Sequence, residues 1–196
     1  FRSLAYAGYG FYNYVQYGNC NGPENEGGFC IFDPTGKNSK YSGIKLDYDG
    51  PRIWPGVDDD PSIGPENAPL TIVEFGCYRC PYTKRAETAV KEVLRRYPTE
   101  VRLVFRNFPL DDLHNYSTEA AIAANCAFEQ GKYWEYHDQL FIQRDITDTQ
   151  EVLIQLASNI GLDEEQFGLC LEDPTQMEEI TRDFEAGVKA KVYGTP

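Results

Sequence analysis

Leu70-Thr71-Ile72-Val73-Glu74-Phe75-Gly76-Cys77-Tyr78-Arg79-Cys80-Pro81 is the stretch that decides the fold of this chain. Its first six residues are mostly apolar or β-branched, which predicts a short buried strand. Pro81 is favoured as the first residue of a helix, and apolar residues at helical spacing follow as far as Tyr97. Glu100 to Phe108 has the composition of a second strand. A strand, a helix and a strand within about 40 residues predict a βαβ unit with parallel strands, and therefore an α/β fold.

The rest of the chain divides into an irregular N-terminal part and a helical C-terminal part. Residues 1–60 are rich in Gly, Asn, Asp and Pro without a helical period, which predicts an extension of loops and short strands. Residues 61–196 form the predicted main domain, with a helical insert over about 112–175. The helices predicted after Pro109 are Ser117–Gln130, Lys132–Gln143, Thr149–Ile160, Asp163–Leu171 and Pro174–Val192.

Composition limits the class of protein. The 196 residues are 41% hydrophobic, enough for one substantial core. An excess of 31 acidic over 18 basic residues gives a net charge of −13, which disfavours nucleic acid and anionic membrane surfaces as partners. No window approaches the roughly 20 apolar residues of a membrane span.

Cysteine usage indicates a compartment. The six cysteines are an even number, which fits an oxidising environment better than the cytosol. The opening residues, Phe1 to Gly10, resemble the stub that remains after signal removal or that follows an anchor outside this sequence. We therefore expect an extracytoplasmic protein of the periplasm or cell envelope, either secreted or membrane-anchored.

Cys77 and Cys80 are the candidate reactive pair. A thiolate is the nucleophile in disulfide exchange, and the N-terminus of a helix stabilises negative sulfur. Cys80 stands where the predicted helix begins, and Arg79 adds positive charge. A zinc site would need two further ligands, and the two histidines, His114 and His137, have no paired spacing. We expect neither a metal nor a cofactor, while a purely structural disulfide is the remaining alternative.

Several motifs together resemble one family. Residues 58–196 are similar to the DsbA-type, thioredoxin-fold thiol-disulfide oxidoreductases. The resemblance implies a thioredoxin-like fold with an inserted helical subdomain, cysteine-containing protein substrates and a membrane redox partner. It also implies that Thr195 precedes a cis-proline, Pro196, that faces the active cysteine. The matching segments are Gly64–Phe75, Cys80-Pro81-Tyr82, Phe105–Leu110, Glu129–Asp138 and Gly194-Thr195-Pro196.

One position departs from the family pattern. The family's usual Cys-Pro-Tyr-Cys falls on Cys80, Pro81, Tyr82 and Thr83, so the usual resolving cysteine is absent. Cys77 instead occupies a loop position where the family often has Asp. Either Cys80 attacks and Cys77 resolves, or the roles are exchanged. We favour Cys80 as the attacker because the helix dipole stabilises its thiolate.

The remaining candidate residues have modulating or structural roles. Thr83 either hydrogen-bonds the Cys80 sulfur or packs, and Glu74 either tunes the thiol pKa or faces solvent. Both histidines are interpreted as structural or surface residues. A disulfide is expected between Cys126 and Cys170, as in some relatives, with two buried free thiols as the alternative. Cys20 and Cys30 are expected to close a Gly- and Asn-rich loop, rather than relay electrons to the reactive pair.

The end of the sequence bears on the fold and on the competing function. By the resemblance, two strands and a helix belong after Pro196. We expect them in a longer natural protein, and the alternative is a partner chain that adds strands to an exposed sheet edge. The competing function is a binding or assembly subunit of an envelope complex that keeps the fold without redox turnover.

Overall fold

The computed structural model describes residues 4–5, 59–143, 149–190 and 192–196. The predicted disulfide between Cys20 and Cys30 and most of the predicted extension lie outside these residues. The strands are β1 (Leu4–Ala5), β2 (Ser62–Ile63), β3 (Leu70–Gly76) and β4 (Val101–Asn107). The helices are α1 (Pro81–Arg96), α2 (Ser117–Glu129), α3 (Tyr133–Ile142), α4 (Gln150–Asn159), α5 (Glu164–Leu171) and α6 (Pro174–Lys189).

The sheet is built around the predicted βαβ unit. Its strand order is β1-β3-β4-β2, and β3 runs parallel to β4, in register from Leu70 opposite Val101 to Gly76 opposite Asn107. β1 pairs in parallel with the other edge of β3, and β2 pairs antiparallel with β4. The α/β fold class is therefore confirmed. Because β3 lies between two strands, the residues that follow it leave the sheet at its centre.

Four helices form the insert around their own core. α2 to α5 enclose a cluster of buried aromatic and aliphatic side chains that includes Tyr136, Leu140 and Phe167. The buried alanines of α2 let its neighbours approach closely. A disulfide joins Cys126 of α2 to Cys170 of α5, with a Cα–Cα distance of 5.7 Å. This bond closes a loop of the insert on itself.

α6 returns the chain from the insert to the sheet. Asp183 accepts hydrogen bonds from Arg106 Nε and from the Asn107 backbone, both at 2.8 Å, and Phe184 stacks on Phe108. α6 ends at Lys189, short of the predicted Val192, because the Val192 N–H bonds to the carbonyl of Gly187 and turns the chain. No helix in the described part of the chain has the length and apolar character to cross a membrane.

Candidate active site

The two candidate cysteines, Cys77 and Cys80, are held in one turn at the carboxyl end of β3. The Cys80 N–H donates to the Cys77 carbonyl at 3.0 Å, which closes the turn through Tyr78 and Arg79. Cys80 is the N-cap of α1, and Pro81 is in its first turn. The helix therefore presents unpaired N–H groups and the positive end of its dipole beside the Cys80 sulfur.

Cys80 faces the end of the described chain. Its Sγ donates to the carbonyl oxygen of Thr195 at 3.3 Å, and the Thr195–Pro196 peptide bond is cis. The Cys80 side chain is 3% exposed and its thiol is free. Thus residues that are distant in sequence meet at one sulfur atom.

Cys77 is the second free thiol, and it is 1% exposed. Its Sγ donates to Ser117 Oγ at 3.4 Å. The Ser117 hydroxyl in turn donates to the His114 carbonyl. Burial raises the pKa of Cys77 above its ordinary value, although hydrogen bonds with Ser117 and with the backbone of Arg79 and Leu110 act in the opposite direction. Burial is the larger effect, so this sulfur is held as a thiol.

Thr83 hydrogen-bonds the backbone of Cys77, whereas the hydrogen bond of the Cys80 sulfur goes to Thr195. The Thr83 side chain is fully buried, and Oγ1 accepts a hydrogen bond from the Cys77 N–H at 3.4 Å. β3 ends at Gly76, so this amide lies outside the sheet ladder. A buried amide needs an acceptor, and the threonine supplies it from the first turn of α1.

The remaining residues of the motif surround the turn. Arg79 is half-buried within it. Tyr82 is 52% exposed, and the Arg85 guanidinium lies over its ring at 5.3 Å. This side of the helix start therefore presents an aromatic surface to solvent.

Glu74 is buried on β3 and does not face solvent. It is 6% exposed, and neither of its oxygens has a hydrogen-bond partner among the described residues. Burial, and then the charge of Glu87, raise the pKa of Glu74 well above its ordinary value. An unpaired carboxylate is costly to bury, so burial favours the protonated form of this carboxyl.

Two contributors to the site are not apparent from the sequence. Ser117 has only the ordinary preference of serine for helix starts as a local signal. Tyr78 stands between the two cysteines, yet its hydroxyl lies 2.7 Å from the hydroxyl of Tyr133 in the insert. In the sequence, the only hint that this side chain turns inward is the alternation of side-chain direction along the preceding strand.

The site combines a parallel strand pair, a dithiol turn at a helix start, and a threonine and a cis-proline that face this turn. These features define a thioredoxin-fold protein with a redox-type site. The profile of the thioredoxin family matches residues 57–196. The chain belongs to this family.

Solved structures confirm the resemblance to the DsbA type. A thioredoxin-like oxidoreductase from Silicibacter pomeroyi is 33% identical, with a TM-score of 0.61 over 70% of this chain and 77% of the other. The thiol-disulfide exchange protein alpha-DsbA2 from Wolbachia pipientis is 25% identical, with a TM-score of 0.62 over 70% and 73%. BdbD from Bacillus subtilis, at 24% identity and a TM-score of 0.63 over 70% and 78%, shares the fold.

Curated relatives place a similar segment in much longer proteins. The Na(+)/H(+) antiporter NhaA 3 of Salinispora tropica is 41% identical over 139 residues, which are 71% of this chain and 21% of the relative. The Na(+)/H(+) antiporter NhaA of Herminiimonas arsenicoxydans is 32% identical over 141 residues, 70% of this chain and 22% of the relative. The chain spans about a fifth of the length of these relatives.

Proposed function

We propose that this chain is an extracytoplasmic protein thiol-disulfide oxidoreductase that exchanges disulfides with protein substrates through Cys80 and Cys77. The observation that carries the proposal is the placement of Cys80, at the N-cap of α1 with its sulfur against the Thr195 carbonyl, beside cis-Pro196. The second thiol is one hydrogen-bonded turn away. Two free thiols and a cis-proline therefore occur together at the start of one helix.

The two sulfurs have different roles in this proposal. Cys80 attacks, because the N-terminus of α1 stabilises its thiolate. Cys77 resolves, because burial raises its pKa and holds it as a thiol until the mixed disulfide forms. The order of the usual motif is therefore reversed, with the resolving cysteine before the helix.

Exchange proceeds through a mixed disulfide. A substrate thiolate attacks the Cys80 sulfur of the Cys77–Cys80 disulfide, the bond between the two cysteines breaks, and Cys77 leaves as a thiolate that takes up a proton. A second substrate thiolate then attacks the substrate sulfur of the mixed disulfide and releases the Cys80 thiolate. The substrate loses two electrons and the cysteine pair gains them. The reverse sequence reduces a substrate disulfide, and the reduction potential decides the direction.

The surrounding residues support these steps. The Thr195 carbonyl and Pro196 orient the substrate and Cys80, while Pro81 begins the helix without needing a hydrogen-bond acceptor. Thr83 fixes the backbone of Cys77. Burial raises the pKa of Glu74, which disfavours a negative charge on the strand that leads to the thiolate. Arg79 adds positive charge, and Tyr82 offers substrate contact.

The location and partners are part of the same proposal. The disulfide between Cys126 and Cys170 suits an oxidising compartment, since such bonds persist there. A membrane redox partner would reset the Cys77–Cys80 pair. In the antiporter relatives the matching segment is part of a longer chain, which supports the proposal that such a unit works at an envelope membrane.

A binding or assembly subunit without redox turnover is the second candidate. It is favoured by the burial of both thiols and by Thr83 in the position of the usual resolving cysteine. In this case the fold would serve as a surface for another protein, and the thiols would pack without exchanging electrons.

Turnover by matched cysteine variants separates the two functions. We would compare the wild-type chain, Cys77→Ser and Cys80→Ser in insulin reduction and in oxidation of a dithiol peptide. Loss of activity in both variants supports the oxidoreductase, and equal behaviour of all three proteins rejects it. A mixed disulfide that accumulates in Cys77→Ser but not in Cys80→Ser identifies Cys80 as the attacker; the opposite pattern exchanges the roles.

A further inference from the structure

Three side chains with metal-binding groups meet between α1 and α3, and none of them is a cysteine. Glu87 lies on α1, whereas His137 and Asp138 are consecutive residues of α3. One carboxylate oxygen from each acid and one ring nitrogen of the histidine all lie within 4.8 Å of one another. We name these three residues the α1–α3 cluster. It lies between the helix that begins at Cys80 and the helical insert.

The two inner members of the α1–α3 cluster have buried lone pairs that make no hydrogen bond. His137 is fully buried and Glu87 is 6% exposed. Neither His137 Nε2 nor Glu87 Oε1 has a hydrogen-bond partner among the described residues. Buried polar atoms normally have a partner, and an orphaned one requires an explanation. A cation is the kind of ligand that a ring nitrogen and a carboxylate bind together.

The spacing of these atoms suits a small divalent ion. Zn²⁺ binds histidine nitrogen and carboxylate oxygen at about 2.0–2.2 Å, usually with tetrahedral geometry. Two such ligands of one ion lie about 3.4 Å apart, close to the 3.2 Å between His137 Nε2 and Glu87 Oε2. Asp138 offers the third ligand from the surface, since its side chain is 46% exposed. Three protein ligands leave a fourth position for water.

The ring of His137 is oriented from its other side. Its Nδ1 lies 3.2 Å from the Tyr78 hydroxyl, and this hydroxyl lies 2.7 Å from the Tyr133 hydroxyl. A hydroxyl both donates and accepts, so Tyr78 can accept from Nδ1–H while Nε2 binds an ion. Metal-binding histidines almost always have such a partner on the second nitrogen, because it fixes the ring and the tautomer.

A lysine ammonium lies at the mouth of the α1–α3 cluster. Lys91 follows Glu87 by one turn of α1, and its Nζ lies 2.6 Å from Asp138 Oδ1 and 3.6 Å from Glu87 Oε2. The two carboxylates are therefore arranged around a positive charge. The Lys91 side chain is 51% exposed, and exposed ion pairs contribute little to stability. The ammonium can therefore turn into solvent when another cation binds.

We propose that Glu87, His137 and Asp138 form a binding site for a divalent transition-metal ion such as Zn²⁺, and that Lys91 competes with the ion for the two carboxylates. The ion displaces the ammonium and links α1 to α3. The sequence expectation of no metal missed this site because Glu87 and His137 meet only in the folded chain. None of the ligands is a thiol, so the site does not depend on the proposed redox function.

The test is Zn²⁺ binding to the full chain without reactive thiols. Cys77→Ser and Cys80→Ser together remove the candidate redox pair as a source of zinc ligands, and any other free thiol is alkylated. Calorimetric titration near neutral pH, with a competing chelator of known affinity, measures the stoichiometry and the Kd. We expect one ion per chain. Thermal unfolding with and without Zn²⁺ should show that the bound ion stabilises the folded state.

Matched variants of this thiol-free chain assign the ligands. Asp138→Asn removes the exposed ligand and should weaken Zn²⁺ binding at least about tenfold, since loss of an outer-shell partner alone costs about 10–100-fold. Glu135→Gln is the control, because this exposed glutamate lies on the same helix, and its affinity should be unchanged. Lys91→Met removes the competing ammonium and should tighten binding by up to about fivefold.

Each outcome decides the proposal. Binding of one ion that Asp138→Asn weakens, Glu135→Gln leaves unchanged and Lys91→Met tightens supports it. Absence of one-to-one binding overturns it, as do equal affinities of Asp138→Asn and Glu135→Gln or binding that Lys91→Met does not tighten. His137→Gln examines the buried ligand, and a folded variant that binds Zn²⁺ unchanged also overturns the proposal. If His137→Gln does not fold, the exposed Asp138→Asn and Lys91→Met variants decide it.

Discussion

The Sγ of Cys77 lies 3.4 Å from the Oγ of Ser117, although the two residues are separated by 40 positions in the chain. Ser117 is the first residue of α2, so the start of the helical insert reaches back to the cysteine turn. The hydrogen bond is one of those that lower the pKa of Cys77 against the effect of burial. This contact makes the insert part of the candidate redox site.

Ser117→Ala should slow the resolution of mixed disulfides. Without the hydroxyl the pKa of Cys77 rises further, because burial is opposed by one hydrogen bond fewer. We expect the mixed disulfide on Cys80 to persist about two- to twelvefold longer, as for the loss of one neutral hydrogen bond. Its decay is measured by acid trapping and gel separation. Ser158→Ala, which removes a serine hydroxyl of α4 that bonds to Glu164, is the control, and equal lifetimes in the two variants would exclude the role of Ser117.

Cys77 should titrate above the ordinary range of thiols. In Cys80→Ser it is the remaining thiol of the turn, and burial, the largest cause of its raised pKa, is retained. We expect its rate of alkylation by iodoacetamide to rise with a midpoint above about pH 8.5, the usual pKa of a cysteine. The reciprocal Cys77→Ser variant gives the profile of Cys80 for comparison. A midpoint for Cys77 below that value would contradict its assignment as the resolving thiol.

The fold could be predicted because its signals are local. The β-branched run of β3, the proline at the start of α1 and the second apolar run of β4 each indicate one element, and their order leaves few arrangements. The helix bounds of the insert follow from glycine and proline in the same way. The strand partner at Leu4–Ala5 has no such signal, since two residues carry no periodicity.

The chemistry of the site could be predicted only in part. Cys77, Cys80 and the Thr195–Pro196 bond carry recognisable motifs, whereas Ser117 and Tyr78 reach the site through the packing of the insert. Thr83 shows the limit of helix geometry alone. Its position predicts contact with the sulfur one turn earlier, yet the hydroxyl contacts the backbone amide of Cys77.

Removal of the disulfide between Cys126 and Cys170 should destabilise the insert while leaving the Cys77–Cys80 pair in place. The bond closes a loop of 44 residues. By restricting the unfolded chain, a disulfide around a loop of this length is expected to stabilise the folded state by about 4 kcal/mol. We expect a reduction of about 2–4 kcal/mol in the free energy of unfolding for the Cys126→Ala, Cys170→Ala double variant. Urea unfolding under non-reducing conditions measures it. Cys77→Ser in the same assay is the control, and a double variant as stable as this control would contradict a structural role.

Glu74→Gln should change how stability depends on pH. Burial and the charge of Glu87 raise the pKa of Glu74 in the folded chain. In the unfolded chain the pKa of a glutamate is about 4.3. Above that pH the unfolded state therefore binds fewer protons at this position than the folded state does. The wild type therefore loses stability as the pH rises from that value to the raised pKa. The glutamine amide does not titrate, so Glu74→Gln lacks this pH-dependent loss of stability. We expect the variant to be more stable than the wild type at pH 7 by about 1 kcal/mol or more. A tenfold difference in proton affinity between the folded and unfolded states corresponds to about 1.4 kcal/mol. The difference should vanish near about pH 4. Exposed Glu66→Gln is the matched control, and a Glu74→Gln variant that is less stable than the wild type at pH 7 would show that the carboxyl is ionised and paired in the folded protein.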